Sequence, residues 1–263
     1  MHRDEYIKMA AVEDSMWRYR SLHRHVAREL LGGVGRTPAK ILDAGCGTGG
    51  LMRRVNLEVP DWEFTGLDML PLACQIAQER VHGTVIEGRI ESLPFADGTF
   101  SAVVSTDVLC CVKDDEAALR EIFRVLRPGG VFVANVPAYP WLWSYHDVAT
   151  HSVRRYRSRE LVGKMREAGF EKTATTYWNA LTLPIIAFRR KCLPPPKQGS
   201  DVMIYPAWMN GLLAGCMKVE HTLIGLGCRW SFGCSEMTVA RKPGSGAHSE
   251  DLPVTMLNGH GKP

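Results

Sequence analysis

The sequence predicts an α/β protein with a doubly wound, mostly parallel sheet of seven strands. Strand-like and helix-like segments alternate from Lys40 to Val136, which is typical of strand–helix–strand units. The run Ala102–Val104 is apolar throughout, as expected of a strand that helices cover on both faces. A glycine-rich turn, residues 45–50, directly follows the first strand. Together these observations place a ligand site at the carboxyl edge of the sheet.

A helical segment from about Asp4 to Leu31 opens the chain, and glycines at 32, 33 and 35 end it. Prolines mark two later boundaries, because Pro60 stops one helix and Pro71 occupies the first turn of another. The elements predicted up to residue 136 are strand Lys40–Asp43, helix Thr48–Val59, strand Glu63–Leu67, helix Pro71–Val81, strand Thr84–Glu87, strand Phe100–Ser105, helix Asp114–Leu126 and strand Val131–Val136.

The pattern changes after Pro137. Residues 137–156 are rich in aromatics, histidine and arginine, and we expect a long loop there. Residues 179–232 hold Pro, Trp, Met and Leu without strand–helix alternation, which indicates a helical insertion before the last strand. The remaining predicted elements are helix Arg159–Ala168 and the strands Phe170–Tyr177 and Ser235–Arg241.

Composition excludes several function classes. The 263 residues are 45% hydrophobic and 23% charged with a net charge of +4, which is ordinary for a globular protein. No basic run is interleaved with aromatics, so nucleic acid is not an expected partner. The eight cysteines lack metal-ligand spacing, and we see neither a signal peptide nor an apolar run of about 18 residues. We therefore expect a reduced, cytoplasmic protein without a transmembrane segment; its oligomeric state is left open.

The glycine-rich turn has the spacing Asp43-x-Gly45-x-Gly47-x-Gly49. Glycine permits positive φ and leaves the backbone bare for a ligand. No Lys-Ser/Thr pair follows, so a phosphate-gripping P-loop is not predicted. Asp43 could accept a hydrogen bond from a cationic ammonium group. A second acid, Asp68, ends the next strand about twenty residues beyond the loop, where an acid can hold both hydroxyls of a ribose.

These segments resemble the class I S-adenosylmethionine-dependent methyltransferases, in the small-molecule branch. The matching strings are ILDAGCGTGG, FTGLDML, IEGRIESLPFADGTF and LREIFRVLRPGGVFVANVP, which run from residue 41 to residue 137. The resemblance implies a Rossmann-like methyltransferase fold, S-adenosylmethionine as cofactor and S-adenosylhomocysteine as product. It also implies one domain over residues 1–242, comprising a helical cap (1–35), a cofactor-binding half (36–137) and a substrate half (138–242). Residues 243–263 are expected to be disordered.

The resemblance also implies roles for single residues. Arg89 is a departure, because the family often has an acid at that position that contacts the adenine amine. In similar proteins an arginine from an aromatic patch before the first strand meets the cofactor carboxylate, and Arg20 is our candidate. The other implied contacts are Asp43, Gly45 and Gly47 around the methionine part, Asp68 on the ribose, Met69, Ile90 and Glu91 along the adenine, and Ser105 and Asp107 near the sulfonium.

A second string, Trp141 to Tyr156, resembles a bacterial methyltransferase subgroup whose loop carries W-S-x-H-D followed by His and R-R-Y, and which has no single substrate. A histidine oriented by a carboxylate suits removal of a proton from an acceptor. We therefore predict His146 as a base, His151 as its rival and Asp147 as an orienting partner. Scaffolding is the alternative, with Asp147 paired to an arginine at 154 or 155. A metal site formed by His146, Asp147 and His151 is chemically conceivable, but we do not predict one.

The predicted function is methyl transfer to an O, N or C atom of a small hydrophobic or aromatic acceptor. One alternative is a lipid-linked saccharide or polyprenyl-type acceptor at a membrane surface, which would use the basic residues and the apolar insertion in peripheral contact. Another is a non-catalytic adenosylmethionine-binding module. Methylation coupled to cyclisation is also left open. The residues expected to contact the acceptor are Trp143, Tyr145, Arg154, Tyr156 and Trp178.

Overall fold

A seven-stranded sheet forms the centre of the protein, and the computed structural model describes residues 3–195 and 199–244. The spatial order of the strands is β3-β2-β1-β4-β5-β7-β6. The strands are β1 (Ala39–Ala44), β2 (Trp62–Asp68), β3 (Thr84–Glu87), β4 (Phe100–Thr106), β5 (Leu126–Pro137), β6 (Glu171–Trp178) and β7 (Ser235–Arg241). The helices are α1 (Arg3–Val12), α2 (Trp17–Val34), α3 (Gly50–Glu58), α4 (Pro71–Arg80), α5 (Asp115–Val125), α6 (Tyr145–Ala149), α7 (Ser158–Glu167), α8 (Leu183–Lys191) and α9 (Ala207–Gly225).

The first five strands pair in parallel, and β7 runs antiparallel between β5 and β6. This confirms the predicted doubly wound, mostly parallel sheet with a helical segment before it and a helical insertion before its last strand. The chain order reverses between β1 and β4. In such sheets the crevice at the carboxyl ends of the strands beside this switch point is the usual ligand site.

Helices cover both faces of the sheet. One apolar cluster packs α2 and α3 against β1 and β5, and it includes Met217 of α9. The other cluster packs α5 and α7 against the opposite face. Gly33 shows how close this packing is, because a Cβ added there would lie 2.9 Å from a methyl of Val131 on β5. Gly32 and Gly33 therefore lie inside α2, where Gly33 allows close approach to the sheet, and Gly35 caps the end of the helix as predicted.

The predicted single helix from Asp4 to Leu31 is two helices, and the prediction is corrected at residues 13–16. Asn210 of α9 lies at this break. Its side chain accepts a hydrogen bond from the Trp17 amide (2.9 Å) and donates one to the Ser15 carbonyl (3.0 Å). The break is thus stabilised by a residue almost two hundred positions away, which no local pattern could reveal.

The predicted loop at residues 137–156 is also more regular than expected. It contains a short 3-10 turn, Pro140–Leu142, and the helix α6. Ser144 and Asp147 form a capping box at the start of α6, in which each side chain meets a backbone amide of the other. From residue 245 onward, the predicted disordered tail (243–263) lies outside the described residues. Within the described part of the chain, no helix has the length and apolarity needed to cross a bilayer.

Candidate active site

A cavity of about 490 Å³ follows the carboxyl edge of the sheet. We call its two parts the cofactor end and the acceptor end. The cofactor end is lined by residues that follow β1 and β2, namely Asp43, Gly45, Gly47 and Asp68. The acceptor end is lined by residues from the second half of the chain, namely His146, Arg155, Asn179, Arg190 and Asp201.

The glycine turn gives the cofactor end a wall of bare backbone. Gly45 has a φ of +93° and Gly47 a φ of +54°, both in the left-handed region. A Cβ on Gly45 would lie 2.1 Å from a methyl of Val108, so a side chain does not fit there. The Gly45 amide donates to the Leu67 carbonyl (2.7 Å). The turn is therefore fixed against β2 while its outer surface is free for a ligand.

Asp43 is the chemically most informative residue of this end. Its carboxylate is buried, and Oδ1 has no hydrogen-bond partner among the described residues. Burial, followed by the nearby charges of Asp68 and Glu13, raises the pKa of Asp43 to about 8. A buried carboxylate without a partner is costly. The missing partner matches a cationic ammonium group, such as that of the methionine part of S-adenosylmethionine.

Asp68 ends the neighbouring strand. Its Oδ2 accepts from the Gly47 amide (3.0 Å), and its Oδ1 accepts from the Leu70 amide (3.0 Å). Burial raises its pKa, although these amides act in the opposite direction. The side chain thus joins the glycine turn to the start of α4, at the position expected for a ribose-binding acid. The predicted adenine contacts Met69, Ile90 and Glu91 line the same end of the cavity.

Contrary to the prediction, Ser105 does not line the cavity. It is buried within β4, and its hydroxyl has no partner among the described residues. Side chains alternate along a strand, so Thr106 reaches the cavity instead. Asp107 also lines it, as expected, with a φ of +58°. Its carboxylate accepts from Asn135 (2.8 Å) and from Arg18 (2.9 Å).

The arginine expected from the first helical segment is not Arg20. Arg20 is exposed and does not line the cavity, whereas Arg18 lines it and pairs with Asp107. The reason is helical geometry, because two residues along α2 rotate the side chain by about 200°. Arg18 is therefore the guanidinium that the structure offers to a cofactor carboxylate.

His146 lies in the acceptor end as predicted, but its hydrogen bonding does not support a base. Its Nδ1 accepts from the Asp201 backbone amide (3.2 Å). Burial, followed by the charge of Arg190, lowers the pKa of His146 well below 6.5. A neutral ring whose Nδ1 accepts a hydrogen bond carries its proton on Nε2. The ring is thus arranged to donate a hydrogen bond rather than to take a proton.

Asp147 does not orient His146. Its Oδ1 accepts from Arg155 Nε (2.7 Å), both side chains are about 2% exposed, and Oδ2 accepts from the Ser144 amide (2.8 Å). Of the two arginines predicted as alternative partners of Asp147, Arg155 forms the ion pair. Asp147 lines the cavity, and its contacts are those of the scaffolding alternative. His151 is exposed, has a φ of +56° and does not line the cavity. The described residues include no group of three metal-ligating side chains.

None of the five residues predicted to contact the acceptor lines the cavity. Four of them make side-chain contacts within the protein, and Trp143 lies at the surface. Arg154 pairs with Asp115 (2.6 Å), and the Tyr156 hydroxyl donates to the same carboxylate (2.6 Å). The remaining three are Trp143 at the surface, Tyr145 donating to Asp201 (2.6 Å) and Trp178 donating to Asn135 (2.7 Å).

Four functional candidates were missed from the sequence. Arg190 and Asp201 of the insertion pair at 2.7 Å at the acceptor end. Asn179 lines the same end with no hydrogen-bond partner for either side-chain atom among the described residues. The fourth is Arg18, in whose place the sequence-based prediction named Arg20. A positive φ at Asn179 is a property that asparagine tolerates well, but the sequence contains no motif around it.

Comparisons with known proteins agree with this geometry. A family described as "Methyltransferase domain" matches residues 42–134. The chain is 29% identical over 204 residues to the ubiquinone/menaquinone biosynthesis C-methyltransferase UbiE of Vibrio cholerae, covering 64% of this chain and 77% of that protein. It is 26% identical over 190 residues to 24-methylenesterol C-methyltransferase 2 of rice, Oryza sativa, covering 59% and 50% respectively.

The fold also matches solved structures. Phosphoethanolamine N-methyltransferase 2 of Haemonchus contortus, in complex with S-adenosyl-L-methionine, superposes with a TM-score of 0.57 at 19% identity, over 83% of this chain and 52% of that one. Against the first curated relatives, the chain spans about half of their length, between 39% and 55%. The matched domain, the fold and the glycine turn beside an unpaired Asp43 agree: the chain contains a methyltransferase domain over residues 42–134 and has the fold of the class I S-adenosylmethionine-dependent methyltransferases.

Proposed function

We propose that this protein transfers a methyl group from S-adenosylmethionine to an O, N or C atom of a small, hydrophobic or aromatic acceptor. One observation carries the proposal: the unpaired Asp43 and the residues around His146 lie in one continuous cavity. A donor held at one end would therefore face an acceptor held at the other. Alignment of the two reactants inside a shielded cavity accounts for most of the catalysis such a transfer needs.

In this proposal, S-adenosylmethionine supplies an electrophilic methyl group on a sulfonium. Asp43 binds its ammonium, Asp68 its ribose hydroxyls and Arg18 its carboxylate. The aromatic residues Tyr6 and Tyr19 of the first two helices close the cofactor end and exclude water. At the other end, His146 donates a hydrogen bond from Nε2 and orients the acceptor.

Apolar side chains at the acceptor end support a hydrophobic acceptor. Ile186, Val202 and Tyr205 come from the insertion and line the cavity beside His146. Relatives of the chain include a 2-methyl-6-phytyl-1,4-hydroquinone methyltransferase and the sterol methyltransferase, whose named acceptors are apolar molecules. We therefore place this chain's acceptor in that general class. A cytoplasmic location stays a prediction.

The first test is cofactor binding. We expect calorimetry to detect S-adenosylhomocysteine binding to the wild-type protein and to lose it in Asp68→Ala, because the ribose contact and the support for the glycine turn go together. Asp61→Ala, on the loop before β2, is the control and should bind like wild type. Equal affinity of wild type and Asp68→Ala would overturn the proposed cofactor site.

The second test is turnover, with 2-methyl-6-phytyl-1,4-hydroquinone among the acceptors tried. His146→Ala should lower turnover more than cofactor affinity, and His146→Gln should restore part of it because a glutamine amide also donates. Equal losses of turnover and cofactor affinity would indicate a scaffold. Methylation of any acceptor would exclude the non-catalytic alternative.

A membrane-linked acceptor is the second candidate, and α8 favours it. The outer side of this helix exposes Ile185 and Phe188, and Arg189 and Lys191 lie at its end. Its inner side places Ile186 and Arg190 in the cavity. Apolar and basic residues at one surface are typical of interfacial helices. Sedimentation with phosphatidylserine vesicles, lost in Ile185→Asp with Phe188→Asp, would support this candidate, and no sedimentation would exclude it.

A further inference from the structure

Asn179 is a buried polar residue whose bonding is incomplete. It follows β6, is 1% exposed and lines the acceptor end of the cavity. Neither its amide nitrogen nor its amide oxygen has a hydrogen-bond partner among the described residues. Leaving such a group buried and unpaired costs about 1–3 kcal/mol. A residue in this condition inside a cavity indicates a ligand that supplies the missing hydrogen bonds.

Residues of neighbouring elements hold the backbone around Asn179 in place. Glu220 of α9 accepts from the amides of Ala180 (2.9 Å) and Leu181 (3.1 Å). On the other side, the Trp178 indole donates to Asn135 (2.7 Å). Asn179 itself has a φ of +60°, which asparagine and glycine adopt more readily than other residues. The carboxamide is thus presented to the cavity by a rigid turn rather than by bonds of its own.

The position of Asn179 separates it from the cofactor. The strands run β1, β4, β5, β7 and β6 across the sheet, and Asn179 follows the last of these. With strands about 4.8 Å apart, it lies roughly 19 Å along the edge from the end of β1, where Asp43 is placed. A ligand group that reaches Asn179 therefore belongs to the acceptor.

The charges around Asn179 favour a neutral group. Both arginines that line the acceptor end already face an aspartate: Arg155 pairs with Asp147, and Arg190 pairs with Asp201. His146 is neutral because burial lowers its pKa. Among the described residues that define the acceptor end, these two ion pairs leave no arginine uncompensated for a carboxylate or phosphate. A carboxamide needs a partner that both donates and accepts, and a hydroxyl does both with a single oxygen.

We propose that Asn179 binds a hydroxyl group of the methyl acceptor through both atoms of its carboxamide, and that the acceptor is a neutral alcohol or phenol. This inference rests on the proposed function. It names Asn179 as a residue that determines specificity. Sites that hydrogen-bond a substrate hydroxyl discriminate strongly against analogues without it, because their own polar groups are then left unpaired.

The test uses the whole protein saturated with S-adenosylhomocysteine and three probes of equal ring system: 2-naphthol, 2-methoxynaphthalene and 2-naphthoate. Wild type should bind 2-naphthol about tenfold more tightly than either of the others, measured by calorimetry. Asn179→Gly keeps the left-handed backbone and removes the carboxamide, so it should bind 2-naphthol and 2-methoxynaphthalene equally. Asn56→Ala is the matched control, since Asn56 also has an unpaired side-chain oxygen but does not line the cavity.

Retained preference for 2-naphthol in Asn179→Gly would overturn the inference, as would equal or absent binding of the first two probes by wild type. Tighter binding of 2-naphthoate would show that the site takes an anion, which also contradicts it. S-adenosylhomocysteine affinity should stay within about twofold in every variant. Loss of that affinity in wild type would instead refute the proposed function, so the two failures are distinguishable.

Discussion

The two ends of the cavity are built in different ways. At the cofactor end, Asp43, Gly45, Gly47 and Asp68 lie close together in the chain, on two adjacent parallel strands and the turn between them. At the acceptor end, the lining residues come from α6, the segment before α7, the end of β6 and the insertion. Backbone conformation makes the first end, whereas contacts between distant side chains make the second.

The two ends of the cavity also differ in their electrostatics. Burial raises the pKa of Asp43, Asp68 and Glu13, and the nearby charges of Asp68 and Glu13 raise that of Asp43 further. At the acceptor end, by contrast, Arg155 and Arg190 are each paired with an aspartate. The cofactor end thus lacks a cation that only a ligand can supply, and the acceptor end lacks hydrogen bonds at Asn179. The unmet need of each end indicates what it binds.

Arg155→Met tests whether ion pairs hold the acceptor end together. We expect the variant to lose about 3–5 kcal/mol of unfolding free energy in urea, because it leaves the Asp147 charge buried without a partner. The exposed pair of Arg54 and Glu58 provides the control, since Arg54→Met should cost less than about 0.5 kcal/mol. A loss of less than about 1 kcal/mol in Arg155→Met would mean that α6 does not depend on this ion pair for its stability.

Gly45→Ala tests whether backbone conformation makes the cofactor end. An alanine at this position would have to adopt a φ of +93°, and its Cβ would lie 2.1 Å from a methyl of Val108. We expect S-adenosylhomocysteine affinity to fall by more than about 100-fold in calorimetry. Gly163→Ala is the matched control, because α7 has open space at that position. Unchanged affinity in Gly45→Ala would contradict a rigid turn.

Asp43→Asn tests the missing cation. The raised pKa of about 8 means that ionising Asp43 destabilises the ligand-free protein. Its contribution to stability is full below the ordinary aspartate pKa and is lost as pH rises to about 8. The variant should therefore lose less stability than wild type between pH 5 and pH 8 in urea titrations. It should also bind S-adenosylhomocysteine about 10- to 100-fold more weakly at pH 8. Identical pH profiles would show that Asp43 is not the responsible group.

The pair Arg18→Ala and Arg20→Ala makes the finest distinction. Arg18 lines the cavity and Arg20 is exposed, although two positions separate them. Losing the guanidinium at position 18 should weaken S-adenosylhomocysteine binding about tenfold, and losing the one at position 20 should change it less than twofold. The reverse order in calorimetry would reinstate the sequence-based assignment.

Predictability followed the same division. The local sequence pattern and the family resemblance together assigned Asp43, Gly45, Gly47 and Asp68, because a strand that ends in a turn fixes the direction of each neighbouring residue. Met69, Ile90 and Glu91 also line the cavity as predicted, but Ser105 faces the core. At the other end His146 lines the cavity as predicted, whereas the five predicted acceptor contacts do not line it: Trp143, Tyr145, Arg154, Tyr156 and Trp178. Their residue types suited substrate contact, but their directions depended on where the loop folds back.

The sequence by itself determined the sheet, its switch point and the cofactor end, because local hydrophobic periodicity and glycine conformations act over short stretches of chain. Only the tertiary structure decided which arginine enters the cavity, that Asp147 serves Arg155, and that Asn179 is left without a partner. The physical reason is that the hydrogen bonds and ion pairs of a buried side chain depend on which other groups lie within reach of it. At the acceptor end, those groups arrive from segments that are far apart in the chain.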